Sequence, residues 1–466
     1  MEKELIVEIE ELSNLGSGVA KIDGMVIFVE NACPKDKLRV KVTKKTKNYL
    51  NAEIVEIVEP SPYRVEPFCP MQKICGACQL QFIDYNYQLQ IKKQIIQNSM
   101  RNIEGITVGD VIASPQSREY RHKIQYPIAQ TQNSKRILAG YYKPKSHDLV
   151  NIKYCPIQPK ICDEIIEYIR VTAPKYEVTG YNERKHAGDL RHVVIRSSAS
   201  TGKNLVVLVV AATKSFGQLN EFAKDIYEHF EDVSGVFLNY NPQKSNLILS
   251  NESELIAGED YIEENLCEKT FRIGPNTFFQ VNPKCADKIF SYIKNYVSEN
   301  FEKAFILDLY AGIATFGIVM SDIAGKVVSV EENKDPITLA DKILKLNGIK
   351  NVELHNMETA KYLQKEIKTK NRKFDITIID PPRKGCTQES LDLALSVTNS
   401  KIIYVSCNPQ TLARDLEYLI SKGAKASFIQ PFDMFCHTYH VESVVIIDVE
   451  GVKLEGVNPE AVDSQE

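Results

Sequence analysis

The chain has 466 residues, with 57 Lys and Arg against 61 Asp and Glu for a formal net charge of −4. That balance excludes a chain that is basic throughout, so any nucleic-acid surface must be a local feature. The length suits two or three domains, and no uninterrupted apolar run is long enough to cross a bilayer.

Residues 1–60 read as a small β module. The runs Leu5 to Ile9, Met25 to Val29, Lys37 to Val42 and Ala52 to Val58 are punctuated by Gly16-Ser17-Gly18 and Asp23-Gly24. Short strands of this kind suit an OB-like β-barrel. Along Lys37-Leu38-Arg39-Val40-Lys41 the basic side chains alternate, so Lys37, Arg39 and Lys41 share one strand face. Lys44, Lys45 and Lys47 follow, then Tyr49, which makes a basic stripe with an aromatic for stacking and points to RNA. The competing use of such a stripe is a solvated edge strand, which lysine protects from pairing.

Eleven cysteines follow a start, Met1-Glu2-Lys3-Glu4-Leu5, that shows no positive region leading into an apolar stretch. Disulfides are therefore not expected, and the setting reads as reducing and cytoplasmic.

Residues 61–285 read as a central α+β domain. Cys69, Cys75 and Cys78 fall close together, with Pro70 and Gly76 bending the chain between them, and Cys155 is a distant fourth. Four thiolates fit a structural zinc or an iron–sulfur cluster, and spacing does not choose between them. Cys33, Cys162, Cys267, Cys285, Cys386 and Cys436 read as packing residues. Gln90 to Arg101 is expected to be a helix. Arg118-Glu119-Tyr120-Arg121-His122-Lys123 is a second basic and aromatic patch, with Arg121 and Lys123 as candidate RNA contacts. Arg191 to Arg196 and Leu205 to Val210 read as sheet strands, with His192 structural.

A helix from Pro283 to Asn300 leads into residues 286–450, which carry the order of a doubly wound, Rossmann-like α/β sheet. A first strand ends in Asp308-Leu309-Tyr310 and runs into Ala311-Gly312-Ile313-Ala314. A second ends in Glu331, about twenty residues past that loop, where an acid can accept from ribose hydroxyls. A third ends in Asp380-Pro381-Pro382-Arg383, and a fourth delivers Ser406-Cys407-Asn408-Pro409. The first loop is not GxGxxG, which disfavours a nicotinamide dinucleotide, and no GxxxxGK[ST] stretch exists for a P-loop. A cysteine at one strand end and a later carboxylate, Glu442 in His440-Val441-Glu442, supply a nucleophile and a base around one substrate atom. Residues 451–466 read as a disordered, polar and acidic tail.

With Phe278-Phe279-Gln280-Val281-Asn282, these motifs resemble those of the RNA uracil C5-methyltransferases, and the resemblance spans nearly the whole chain. It implies a class I methyltransferase domain that uses S-adenosylmethionine and an N-terminal module similar to the TRAM RNA-binding domain. Cys407 would attack C6 of a uracil and Glu442 would remove the C5 proton. Gln280, Tyr310, Glu331 and Asp380 match the family's cofactor contacts, with Asp308 and Gly312 in the same loops. The spacing of Cys69, Cys75, Cys78 and Cys155 resembles the 4Fe-4S motif of the family's ribosomal-RNA branch. 23S rRNA is thus the favoured partner and tRNA the alternative, for a chain expected to act as a monomer. The chain departs from the family pattern at Ala311, where cysteine or serine is usual, at Ala314, where glycine is usual, and at Glu358, where an aspartate often contacts adenine. A non-catalytic RNA-binding iron–sulfur protein is the alternative from another class.

Overall fold

Short runs of β-branched and aliphatic residues such as Phe305–Leu309 and Phe374–Ile379 are apolar on both faces, as strands covered on both sides by helices must be. In the computed structural model, which describes residues 4–452 apart from 132, 134, 370 and 371, they form the middle of an eight-stranded sheet. The tail beyond 452 lies outside the described residues. Across the sheet run Val352–Asn356, Lys326–Glu331, Phe305–Leu309, Phe374–Ile379 and Thr398–Ser406, all parallel, then Glu442–Asp448, Phe428–Phe432 and Thr107–Val108. Strand order reverses between Phe305–Leu309 and Phe374–Ile379, which opens a crevice at their carboxyl ends. Glu442–Asp448 is antiparallel to Thr398–Ser406.

The N-terminal sheet has six strands rather than the four runs read from the sequence, because Glu11–Leu12 and Gly18–Ile22 join it. Gly18 was expected to punctuate the module, yet it opens a strand. A Cβ there would stand 2.7 Å from the Ala32 Cβ, so this glycine serves a close approach. In the middle of the chain a seven-stranded sheet, residues 123–258, packs the helices Lys160–Thr172 and Gly217–His229 on one face. Its other face shares a core with the helix Pro283–Asn300 and with the eight-stranded sheet. Val207, Val209 and Phe237 thus meet Ile289, Phe290 and Ile306 in one apolar mass.

The helix expected from Gln90 begins earlier, at Tyr85, where the Asp84 side chain accepts from the Tyr87 backbone N–H and caps it. Asn282 and Pro283 start the helix Pro283–Asn300 in the same way.

After Phe305–Leu309 the backbone turns through left-handed conformations at Tyr310 (φ 60°), Gly312 (φ 55°) and Ala314 (φ 58°). Only glycine adopts that region without crowding its Cβ, so Ala314 carries strain at a fully buried position. Relief of about 1–2 kcal/mol of left-handed strain exceeds the roughly 0.4–1 kcal/mol entropy cost of glycine, so Ala314→Gly should stabilise the fold, seen as a higher denaturant midpoint at unchanged slope. A lower midpoint would show that the alanine methyl packs more favourably than its backbone strains.

Candidate active site

Antiparallel register places the two chemical candidates together. Ser406 pairs with Ser443, so the next positions outward are Cys407 and Glu442. Ser406 accepts from the Asn408 N–H at 3.2 Å and shapes the turn that carries Cys407, and Asn408 caps the helix Pro409–Ser421. The turn is tied to its neighbour, since Asn408 Nδ2 donates to the Arg383 carbonyl at 3.1 Å. Thr411 Oγ1 donates to the same carbonyl at 3.3 Å, so the Asp-Pro-Pro-Arg and Ser-Cys-Asn-Pro loops are tied together.

The site is rich in carboxylates whose proton affinity burial raises. Glu442 is buried, and its carboxyl is raised well above the usual range by burial and then by Asp380, with Arg383 opposing. Asp380, deep in the cleft though still touched by solvent, is raised by burial to about 7. Asp308 is also raised to about 7, first by burial, against bonds from Ser329 Oγ at 2.9 Å and Gly317 N at 3.1 Å. Folded, these two aspartates hold their protons to about pH 7, against 3.8 as the ordinary value. Their stabilising contribution is therefore complete below about pH 4 and is lost as pH rises through 7.

Cys407 is half-buried, and its thiol is pushed up to about 11 by burial, Glu442 and Asp380, with Arg383 pulling the other way. Resting Cys407 is thus a thiol. Arg383, exposed at the rim, is the cation that sequence reasoning quoted within a motif without giving it a task. Its signal was its place immediately after the two prolines.

Around the first loop, Glu331 accepts from Gly312 N at 3.1 Å and from Asn333 N at 2.9 Å. A Cβ on Gly312 would meet nothing within 4 Å, which leaves open space beside the turn. The second oxygen of Asp308, Oδ1, is buried with no hydrogen-bond partner among the described residues. Tyr310 is half-buried in the same loop. Gln280 precedes Val281, whose carbonyl accepts from His122 N at 2.7 Å. Asp308, Tyr310, Gly312, Glu331 and Asp380 lie at or just past the carboxyl ends of their strands.

The basic residues expected to meet RNA also lie against other groups of the protein. The stripe on Lys37–Lys45 is charge-compensated. Lys37 pairs with Glu59 at 2.7 Å, Arg39 with Glu56 at 3.3 Å, and Lys41 faces Glu53 and Glu4 in register. Glu53, Glu56 and Glu59, at every third position of Tyr49–Glu59, answer the basic residues, a pattern visible only once the strands are paired. Lys44, Lys45 and Lys47 beyond them are exposed at the turn. Arg121 and Lys123 do not form a surface patch either. Arg121 faces Tyr141, Tyr120, Cys78 and Cys155, while Lys123 pairs in register with Arg196 and is pushed down to about 7 by burial and by Arg196 and Arg121.

Cys69, Cys75, Cys78 and Cys155 line a single cavity with Met71, Gln81 and Ile152. Burial is the leading cause raising all four thiols, and Cys78 reaches about 12. Among the described residues no three His, Cys, Asp or Glu side chains are placed to hold a metal ion. All eleven cysteines are free.

A doubly wound sheet with its chemistry at the carboxyl edge and an antiparallel final hairpin defines the methyltransferase class. Residues 244–450 match the tRNA (Uracil-5-)-methyltransferase family and residues 3–55 the TRAM domain. An uncharacterized RNA methyltransferase of Clostridium tetani is 34% identical over 94% of this chain and 95% of its own. One from Synechocystis is 33% identical over 94% of each. The structure of Pyrococcus abyssi tRNA (uracil-54, C5)-methyltransferase in complex with S-adenosyl-L-homocysteine superposes with a TM-score of 0.76 at 26% identity, covering 95% of this chain and all of that one. The chain belongs to the RNA uracil-5-methyltransferase family and carries an N-terminal TRAM domain. Among the described residues no helix is long and apolar enough to cross a membrane.

Alkylation of Cys407 in the free protein should rise about tenfold per pH unit from 7 to 9, because only the thiolate reacts. Peptide mass spectrometry after timed iodoacetamide exposure measures this. A plateau below pH 8 would contradict the raised thiol.

Proposed function

We propose that this protein transfers a methyl group from S-adenosylmethionine to C5 of a uridine in structured RNA, with Cys407 as nucleophile and Glu442 as base. The observation that carries this reading is the register that sets Cys407 opposite Glu442. C5 of uracil is a weak nucleophile. Addition of the Cys407 sulfur at C6 moves the C5=C6 electron pair onto C5, which can then take a methyl group. Glu442 next removes the C5 proton, the double bond re-forms and the C6–S bond breaks to release Cys407. In its ionised form, a carboxyl whose proton affinity burial has raised is the stronger base for that abstraction. Arg383 has the charge and position to favour the Cys407 thiolate as the RNA excludes water.

S-adenosylmethionine supplies the methyl group. The open turn at Gly312, the Glu331 carboxylate and the unpartnered Asp308 oxygen fit such a ligand, with Gln280, Tyr310 and Asp380 completing its surroundings. The target base must leave its stack to reach Cys407. Lys123, a half-buried amine with cationic neighbours only, is suited to an RNA phosphate, and Lys44, Lys45 and Lys47 with Tyr49 to a flanking strand. This reading replaces Lys37 and Arg39 as the leading contacts of the TRAM domain.

The four cysteines suit a 4Fe-4S cluster, which spreads its sulfur ligands over a larger volume than one zinc does, and the guanidinium of Arg121 would offset its charge. Within this proposal the chain acts as a cytoplasmic monomer divided near residues 60 and 285. 23S rRNA is the target that the TRAM domain and the cysteine motif favour. Transfer RNA is the alternative favoured by what the Pyrococcus abyssi protein modifies.

Mass spectrometry of separated ribosomal and transfer RNA, from cells with and without the protein, should show 5-methyluridine lost at a discrete site. Cys407→Ala should abolish its restoration, and loss from transfer RNA would move the target while keeping the chemistry. No loss in either pool would refute the activity. Protein purified without oxygen should carry about four iron and four sulfide per chain, and Cys78→Ser should lose them. Stoichiometric zinc would overturn the cluster.

A further inference from the structure

The nine residues 433–441 join Phe428–Phe432 to Glu442–Asp448, and Phe432 pairs in register with Glu442. The catalytic candidate is therefore the first residue after this connection. Each of residues 433–437 is held by a group from outside the hairpin. Asp433 is ion-paired with Lys92, both side chains fully buried, and accepts from Tyr85 Oη at 2.8 Å. Asn282 Nδ2 donates to the Met434 carbonyl at 3.1 Å, and Lys92 Nζ donates to that of Phe435 at 2.9 Å. Tyr120 Oη donates to the Cys436 carbonyl at 2.9 Å. The His437 carbonyl accepts from Gln79 N and Leu80 N, both at 2.9 Å, beside the cysteine cavity. Past these ties, the left-handed Gly16 of the TRAM domain lies so close to Tyr439 that a Cβ would stand 2.8 Å from its ring.

A connection of this length could be mobile, and mobility would carry Glu442 with it. A fully buried lysine also needs a reason, since removing its charge from water is costly unless pairing and hydrogen bonds offset it. Lys92 spends its donors on two points of one loop, Asp433 and the Phe435 carbonyl. Its helix, Tyr85–Met100, belongs to the part of the chain that follows the cysteines.

We infer that Lys92 is a positioning residue for the base: its buried pair with Asp433 casts the 433–441 connection so that Glu442 faces C5 of the RNA-bound uracil. Lys92 acts through the loop and touches no reacting atom. The inference rests on Glu442 being the base that resolves the Cys407 adduct. Proton removal follows methyl transfer, so a displaced Glu442 slows the release step and leaves the earlier C–S bond formation untouched.

The test follows denaturation-resistant protein–RNA adduct carrying a labelled methyl group, alongside released product. Three variants are compared: Glu442→Gln, the charge-free pair Lys92→Met with Asp433→Asn, and Tyr120→Phe. Glu442→Gln should accumulate methylated adduct, and its failure to do so would overturn the reading of Glu442 itself. Given that trapping, the charge-free pair should form adduct at the normal rate and release it up to about 100-fold more slowly, the scale of a roughly 1 Å misplacement. Tyr120→Phe should shift release in the same direction by a smaller factor, and it decides the matter if the pair does not fold. Formation and release falling together, or neither changing, would overturn the positioning role.

Discussion

Antiparallel pairing of Thr398–Ser406 with Glu442–Asp448 is the contact from which the site follows. Parallel strands bring their carboxyl ends to one edge, and there they have already delivered Asp308, Glu331, Asp380 and Cys407. A further parallel strand would present its last residue at that edge. An antiparallel strand presents its first, so the residue that begins Glu442–Asp448 lands beside the residue that ends Thr398–Ser406. A one-residue slip would turn Glu442 to the opposite face of the sheet, and the apolar cores on both faces forbid it.

The register alone does not hold the loop that precedes Glu442. That task falls to the interior of the preceding segment, where Lys92 and Asp433 sit in a shell of Tyr85, Tyr120 and Asn282. Removing one partner of such a pair leaves a buried charge and costs about 3–5 kcal/mol, whereas removing both is often nearly neutral. The pair therefore gives one geometry to the connection more than it gives net stability to the fold. Along the same connection, Tyr439 packs with Leu12 and Cys33 of the TRAM domain, and Cys436 packs with Cys78 and Cys155 of the cysteine cavity.

Electrostatics divide the molecule into two regimes. On the TRAM surface, exposed lysines and glutamates pair across strands at little net energy. In the crevice, burial dominates. It raises the proton affinity of Asp308, Asp380, Glu442 and Cys407, and Arg383 is the opposing cation at the rim.

Much of this was legible in the residues. Period and composition located Phe374–Ile379 and Pro283–Asn300 at the expected bounds, because apolar strands and a capped helix are local signals. The motifs around Cys407, Asp380 and Asp308 named the chemical groups, since each strand-ending loop writes its own few residues. What local pattern does not encode is partnership. Lys37 and Arg39 looked like a free basic face until the pairing of Tyr49–Glu59 set Glu59 and Glu56 against them. Arg121 and Lys123 looked like a surface patch until the seven-stranded sheet folded them inward. Lys92 is a basic residue on the helix Tyr85–Met100, and only tertiary packing brings it to Asp433, far along the chain. Sequence determined which groups exist and which element carries each. Tertiary structure decided which of them meet, because burial and register act between segments that the order of residues leaves far apart.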